Sequence, residues 1–175
     1  MKSIFAYGSL INEHDLKRTV PDAVNFRPAK LYGYRREFNI ISTYRFDPKS
    51  GAPICVLNLK KIDNNAFLNG VCFEMNDMSF GQLLVREKGY DMIAQDLYEY
   101  GSDNFLCEGS FFISTRNRPY PFMLDSSLQF DYLSTCIEGC RRYGKEFVDD
   151  FKKTTSFFGL DKTTYDSLVW DKITT

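Results

Sequence analysis

The hydrophobic pattern of the chain changes about two thirds of the way along it. Before that point, short segments rich in β-branched and aromatic residues are separated by turn residues such as Asp47-Pro48 and Asp63-Asn64-Asn65, a pattern that predicts β-strands. We predict strands over Ile4–Tyr7, Lys30–Ile41, Pro53–Leu59, Phe67–Met75, Tyr90–Tyr100 and Glu108–Arg116. Beyond the last of these, apolar residues recur with the 3.6-residue period of an amphipathic helix.

The final third of the chain is predicted to be helical. A helix is expected from Leu128 to Tyr143, and Gly144 could terminate it. Further helices are predicted over Glu146–Thr154 and over Lys162–Val169, the second of them capped by Asp161. Short strands followed by helices predict an α+β domain, with the sheet curled toward a barrel.

The bulk properties of the sequence favour a single globular domain. The chain has 175 residues, and no repeat, low-complexity tract or Pro/Ser-rich linker divides it. We expect one domain over residues 1–175, with a barrel over about 1–120 and a helical part over about 121–175. The net charge of −1 gives no indication of a nucleic-acid partner or an anionic membrane surface. No stretch approaches the roughly 20 apolar residues of a membrane span.

The cysteines do not follow the spacing of a zinc site. There are five of them, an odd number, and the paired C-x-x-C pattern is missing from the sequence. Cys136 and Cys140 are four residues apart and would share the apolar face of the predicted helix, so we expect buried thiols there. A metal or redox role is the alternative. A reducing cytoplasm is the expected location.

The first stretch that could carry chemistry is Tyr7-Gly8-Ser9-Leu10, directly after the opening strand. Gly8 lets the backbone turn and approach a ligand closely. Successive backbone N–H groups in such a loop can bind an anion. The alternative is an ordinary turn at the edge of a sheet.

The second stretch ends a short predicted helix. This helix is expected to begin at a cap provided by Asp77 or Ser79 and to end near Gly89. Its inward-facing residues are predicted to be Phe80, Leu83 and Leu84. Glu87 lies near its end, and a closed sheet could bring this carboxyl group to the cavity that the opening loop borders. A partly desolvated carboxylate there would have a raised pKa and could act as a base near neutral pH. The alternative is a solvated run of charges at a helix end.

Together, these motifs resemble the γ-glutamylcyclotransferase family. The resemblance runs from about Ile4 to Arg116 and consists of YGSL after a strand, GYRREF near residue 35, an LNL strand, and G-V-x-F-E followed by a helix that ends in R-E-x-G-Y. The GYRR and REKGY segments look closest to the glutathione-specific branch. The family fold is a small mixed barrel with helices, which is compatible with the α+β prediction.

The resemblance implies the roles of several residues. Tyr7, Gly8, Ser9 and Leu10 match the substrate-holding loop of the family, and Glu87 matches its catalytic glutamate. From the residues themselves, Tyr90, three residues after Glu87, could contact the substrate, and Arg35 and Arg36 could pair with its distal carboxylate; exposed arginines on a strand are the alternative. The implied reaction converts a γ-glutamyl amide to 5-oxoproline and a free amine, without a metal or an organic cofactor.

The sequence leaves several alternatives open. The leaving group could be that of glutathione, of a γ-glutamyl dipeptide or of a γ-glutamylamine. A module of the same fold that binds a small molecule without turnover is the alternative from a different class, since fold does not determine function. The expected partner is a small γ-glutamyl compound, with no nucleic acid and no membrane. The oligomeric state is left open.

Overall fold

In the computed structural model, which describes residues 1–115 and 118–174, the β-strands form two sheets. The strands are β1 Lys2–Ala6, β2 Val24–Tyr32, β3 Tyr34–Phe46, β4 Pro53–Lys61, β5 Phe67–Met75, β6 Asp91–Glu99, β7 Phe105–Ile113 and β8 Thr155–Phe157. A closed barrel is formed in the order β1-β5-β2-β6-β7, and the second sheet has the order β4-β3-β8. The predicted α+β fold with a closed sheet is confirmed.

The helices lie between the barrel strands and in the last third of the chain. They are α1 Glu13–Lys17, α2 Asp77–Arg86, α3 Ser127–Arg141, α4 Lys145–Lys153, α5 Lys162–Tyr165 and α6 Asp171–Thr174. One turn of 3-10 helix covers Ser9–Ile11, and a π-helical turn covers Asp166–Trp170. None of the helices in the described part of the chain is both long enough and apolar enough to cross a bilayer.

Strand β1 is held between two neighbours in the barrel. It pairs with β5 in antiparallel register and with β7 in parallel, through Ile4 and Ser110. The ring of Phe5 lies against Gly70 of β5, where an added Cβ would come within 2.3 Å of the ring and 2.5 Å of the Ala6 carbonyl oxygen. A glycine at this position therefore lets β1 pack closely on β5.

The prediction of one strand over Lys30–Ile41 is wrong. The chain turns at Gly33, whose φ of +83° lies in the left-handed region that glycine adopts readily. Strand β2 ends before this turn and belongs to the barrel, whereas β3 begins after it and belongs to the second sheet. The last predicted strand is observed as β7, which ends at Ile113, and Arg116 lies outside the described residues.

The short helix near residue 80 is confirmed, with two differences. Its cap is the side chain of Asn76, which accepts a hydrogen bond of 2.9 Å from the Ser79 N–H, whereas Asp77 lies within the first turn. Leu83 is buried as expected, but Leu84 is 41 % exposed because it lies on the other side of the helix.

The helical C-terminal part is confirmed, and it also contains a strand that the sequence pattern does not predict. Strand β8 has three residues and pairs in parallel with β3. Asp161 caps α5 as expected, accepting a hydrogen bond of 2.8 Å from the Thr164 N–H. Cys136 and Cys140 are buried thiols, as predicted. The single-domain organisation stays a prediction.

Candidate active site

A partly enclosed cavity of about 190 Å³ lies where β1 and α2 end. About 10–15 Å³ by this measure holds one water molecule, so the cavity has room for several waters or for a small ligand. Residues 7–10 border it on one side and residues 86–90 on another, so the structure brings the two sequence motifs together. The remaining walls come from β1, β3, β4, β7 and α3, through Ile4, Phe5, Ala6, Ile40, Ile41, Ser42, Thr43, Tyr44, Val56, Leu57, Phe112 and Tyr132.

Helix α2 delivers Glu87 to this cavity. The buried side chain of Leu83 anchors the last turn of the helix in the core. The Glu87 N–H donates to the Leu83 carbonyl at 2.9 Å, and the Glu87 carbonyl accepts from the Tyr90 N–H at 3.0 Å. Gly89, with a φ of +105°, lets the chain turn within this short segment. Glu87 and Tyr90 therefore lie on the same tight turn, and both line the cavity.

The surroundings of Glu87 make it a stronger base than an ordinary glutamate. Its side chain is only 16 % exposed, and burial raises the pKa of its carboxyl above the usual value. The Arg86 guanidinium, whose Nε lies 3.5 Å from Glu87 Oε1, acts in the opposite direction and is the weaker influence. Arg86 is itself held by a hydrogen bond of 2.7 Å from its Nη1 to Thr19 Oγ1.

Tyr7 is both a core residue and a wall of the cavity. Its hydroxyl donates a hydrogen bond of 2.6 Å to the Phe112 carbonyl. Burial raises the pKa of Tyr7 well above its usual value, and the nearby Tyr90 and Glu87 act in the same direction. The Tyr7 phenol therefore stays protonated at neutral pH.

Gly8 is closely surrounded by its neighbours. A Cβ at this position would lie 3.3 Å from the Tyr132 hydroxyl oxygen and 3.6 Å from Leu57 Cδ1. The 3-10 turn that follows, Ser9–Ile11, has first backbone N–H groups without partners inside the turn. Gly8, Ser9 and Leu10 all line the cavity.

Three further aromatic residues with hydroxyl groups line the cavity. Burial raises the pKa of the Tyr90 phenol, and the negative charge of Glu87 adds to this effect. Tyr132 of α3 is likewise buried with a raised pKa, whereas Tyr44 of β3 is exposed. Sequence analysis missed Tyr44 and Tyr132. No local motif surrounds them, and they reach the cavity only through tertiary packing.

Arg35 is not brought to the cavity. It lies near the start of β3, 42 % exposed, with Nη2 at 3.5 Å from Glu37 Oε1. Arg35 is not among the residues that line the cavity, and because successive side chains of a strand point to opposite faces, it points away from Tyr7, which the next residue, Arg36, contacts. The structure therefore does not bring the Arg35 guanidinium into this cavity. Among the residues that the structure describes, no group of three His, Cys, Asp or Glu side chains is arranged to hold a metal ion.

Comparison of the sequence with family models and with curated proteins gives no match. Comparison of the structure gives several. A solved structure described as a γ-glutamyl cyclotransferase matches with a TM-score of 0.68 and 16 % identity, over 95 % of this chain and 97 % of that chain. An uncharacterized human protein matches with a TM-score of 0.69 and 17 % identity, over 99 % and 98 %.

A third match is a yeast γ-glutamyl cyclotransferase described as specific to glutathione. Its TM-score is 0.65 at 14 % identity, over 88 % of this chain and 96 % of that chain. At 14–17 % identity, these matches show a shared fold and nothing more specific. Because these matches cover most of each chain, this protein adopts the γ-glutamyl cyclotransferase-like fold.

Proposed function

We propose that this protein is a γ-glutamylcyclotransferase, which converts a small γ-glutamyl compound to 5-oxoproline and a free amine. The observation that carries the proposal is the position of Glu87, which lines the same cavity as residues 7–10. Among the described residues that line this cavity, Glu87 provides the one carboxyl group, and no His or Cys is present. Glu87 is therefore the group best suited to exchange a proton there.

Glu87 is proposed to move the proton that the reaction requires. The α-amino nitrogen of the substrate attacks its own γ-carbonyl carbon, so a new C–N bond closes a five-membered ring and the original amide bond breaks. The α-amine arrives mostly as ammonium and must lose a proton before it attacks. Glu87 takes up this proton and returns it to the departing nitrogen, which regenerates the carboxylate. As the ring closes, its nitrogen gives up a second proton to water, and the released amine takes up a proton from water to become an ammonium ion. General acid–base catalysis of this kind typically contributes 10²–10⁴-fold.

Residues 7–10 are proposed to hold the glutamyl part of the substrate in the attacking conformation. The Tyr7 hydroxyl already donates to Phe112, so its oxygen can accept a hydrogen bond from the α-ammonium group. The backbone N–H groups of Gly8, Ser9 and Leu10 suit the α-carboxylate, or the carbonyl oxygen as it becomes an oxyanion. Correct orientation within one molecule can contribute up to roughly 7–11 kcal/mol.

Tyr90 is proposed as a hydrogen-bond donor to the substrate. Its raised pKa keeps the phenol protonated at neutral pH, and it lies on the same turn as Glu87.

The experiment below decides which leaving group the substrate carries. The yeast structure supports glutathione as one donor to test. The aliphatic side chains of Ile40, Val56 and Leu57 would also accommodate a γ-glutamylamine whose leaving group has no charged end.

The release of 5-oxoproline, measured by mass spectrometry, tests the proposal. Purified protein is incubated with glutathione, with a γ-glutamyl dipeptide and with a γ-glutamylamine, and Glu87→Gln is assayed beside it. We expect release from at least one donor, a kcat lower by about 10²–10⁴-fold in the variant, and a KM changed by less than about threefold. The matched control is Glu108→Gln, at an exposed glutamate of β7 outside the cavity, which should leave kcat unchanged.

Two results would count against the proposal in different ways. A Glu87→Gln variant as active as the wild type would show that another group moves the proton. Silence of the wild type with all three donors would overturn the cyclotransferase activity and favour a binding module of the same fold.

A further inference from the structure

Arg36 is a completely buried arginine without a carboxylate partner among the described residues. Its guanidinium donates three hydrogen bonds: Nε to the Tyr7 carbonyl at 2.7 Å, and Nη1 to Thr154 Oγ1 at 2.6 Å and to Asn69 Oδ1 at 3.2 Å. Its Cζ lies 4.2 Å from the centre of the Phe151 ring. Every partner is thus neutral. This differs from the expectation that Arg36 binds a distal carboxylate of the substrate.

A buried charge of this kind is not explained by stability. Removing a charge from water is costly, and replacing buried ionic groups with apolar residues of similar volume is often neutral or stabilising. Burial lowers the pKa of Arg36 to about 10, so the guanidinium is still cationic at neutral pH. Its retention in the core therefore calls for an explanation in terms of what the charge contacts.

The shortest link between Arg36 and the cavity is the Tyr7–Gly8 peptide group. Arg36 binds the carbonyl of this peptide, and the N–H of the same peptide belongs to Gly8, which lines the cavity. Within the described chain, the Gly8 N–H has no hydrogen-bond partner. Hydrogen bonds from a charged donor are stronger than neutral ones, and they polarise the group that accepts them. A cation on the carbonyl oxygen therefore makes the N–H at the other end of the peptide a better donor.

Nη1 of the guanidinium is linked to α4 through Thr154 and Asn69. Thr154, directly after α4, donates its own hydroxyl proton to the Asp150 carbonyl and so offers an oxygen lone pair to Arg36. Asn69 donates from Nδ2 to the Phe147 carbonyl at 2.7 Å, which leaves its Oδ1 for Arg36. With three such hydrogen bonds and an aromatic ring against it, the guanidinium has little freedom to move.

We propose that Arg36 is a positioning residue that fixes the plane of the Tyr7–Gly8 peptide and polarises its N–H toward an oxygen of the substrate. The proposal rests on the proposed function in naming the γ-glutamyl carbonyl oxygen as that oxygen. The reaction needs this donor most strongly when negative charge develops on the carbonyl oxygen. Loss of Arg36 therefore affects kcat more than KM.

Two variants and a neighbouring control test the proposal. Arg36→Met keeps the length of the side chain and removes the charge, whereas Arg36→Lys keeps the charge but loses the fork of donors. Arg35→Met removes a guanidinium one residue away that does not reach the cavity. Kinetics of 5-oxoproline release are combined with ¹⁵N NMR spectra of the uniformly labelled protein. Far-UV circular dichroism and Tm report folding.

We expect Arg36→Met to lower kcat by about 10–100-fold with KM within about threefold, because losing an oxyanion donor outright costs about 10²–10³. Arg36→Lys should recover part of the loss, and Arg35→Met should match the wild type. In the spectra, the Gly8 amide resonance should shift in Arg36→Met and remain unchanged in Arg35→Met. If Arg36→Met does not fold, the same comparison is made with Arg36→Lys, which should show a smaller loss and a smaller shift.

The spectra keep this proposal separate from the proposed function. An inactive wild type would overturn the cyclotransferase activity, and the Gly8 resonance would then decide whether Arg36 acts on the peptide. An unchanged Gly8 resonance in the folded Arg36 variants, or full activity of Arg36→Met in an active protein, would overturn the role of Arg36.

Discussion

Glu87 shows how the surroundings of one residue determine its chemistry. It follows the last residue of α2 and is largely shielded from water, with Arg86 as its nearby cation. The phenols of Tyr7 and Tyr90, which also line the cavity, have raised pKa values and remain protonated at neutral pH. Of these three groups, the Glu87 carboxyl is therefore the one that loses its proton at the lowest pH.

The raised pKa of Glu87 predicts a pH-dependent effect on stability. The folded protein binds this proton more tightly than the unfolded chain, so stability is lost as pH rises from the ordinary pKa through the raised one. We expect Glu87→Gln to unfold at a higher urea concentration than the wild type at pH 7, with a smaller difference at pH 4. The exposed control Glu108→Gln should change the unfolding free energy by less than about 0.5 kcal/mol at either pH. A difference for Glu87→Gln that is equal at both pH values would contradict this explanation.

At the scale of elements, close packing of α3 against the segment after β1 supports the loop of the candidate site. A Cβ added to Gly139 of α3 would lie 2.5 Å from the backbone nitrogen of Asn12 and 2.8 Å from the carbonyl carbon of Ile11. These are backbone atoms, which cannot rotate away as a side chain can. The helix therefore approaches the loop only because this position has no side chain.

Two alanine substitutions of helical glycines are expected to have opposite effects. Gly139→Ala should destabilise the protein by roughly 1–3 kcal/mol, because overpacking forces the backbone to shift. Gly81→Ala in α2 should stabilise it by about 0.5–1 kcal/mol, since nothing lies within 4 Å of the added Cβ and alanine favours the helix. Urea denaturation of both variants provides the measurement. A stabilising Gly139→Ala would show that α3 can move away from the loop without cost.

On the scale of the whole molecule, an aromatic cluster joins the second sheet to the C-terminal helices. Phe157 of β8 stacks on Phe38 of β3 with ring centres 4.9 Å apart. It also meets Phe122 at 5.0 Å and Trp170 at 5.3 Å. Sheet and helices therefore share one packed region of the core, and Phe38 belongs to β3, the strand that also lines the cavity.

Truncation of Phe157, the central ring of this cluster, is expected to cause a large loss of stability. Phe157→Ala should cost about 3–5 kcal/mol, because it removes a buried ring and leaves a cavity that its rigid neighbours cannot fill. Phe158→Ala, one residue further and 40 % exposed, should cost about 1 kcal/mol or less. Thermal and urea unfolding compare the two variants. Equal effects would show that the aromatic cluster does not hold the C-terminal part in place.

The sequence by itself determined most of the local elements and two of the motifs at the cavity. Strands and helices were predictable because alternation and the 3.6-residue period depend on neighbours a few residues apart. The helix end near Gly89 and the turn after the opening strand were predicted from local residues, whereas the roles of Glu87 and Tyr7 came from the resemblance to a family.

Only the tertiary structure decided which side chains meet. The predicted strand over Lys30–Ile41 divides at Gly33 between the barrel and the second sheet, and adjacent arginines separate into half-buried Arg35 and fully buried Arg36. Tyr132 arrives at the cavity from α3, far along the chain. Such placements depend on barrel closure and on packing between distant segments. A local sequence pattern does not record these contacts.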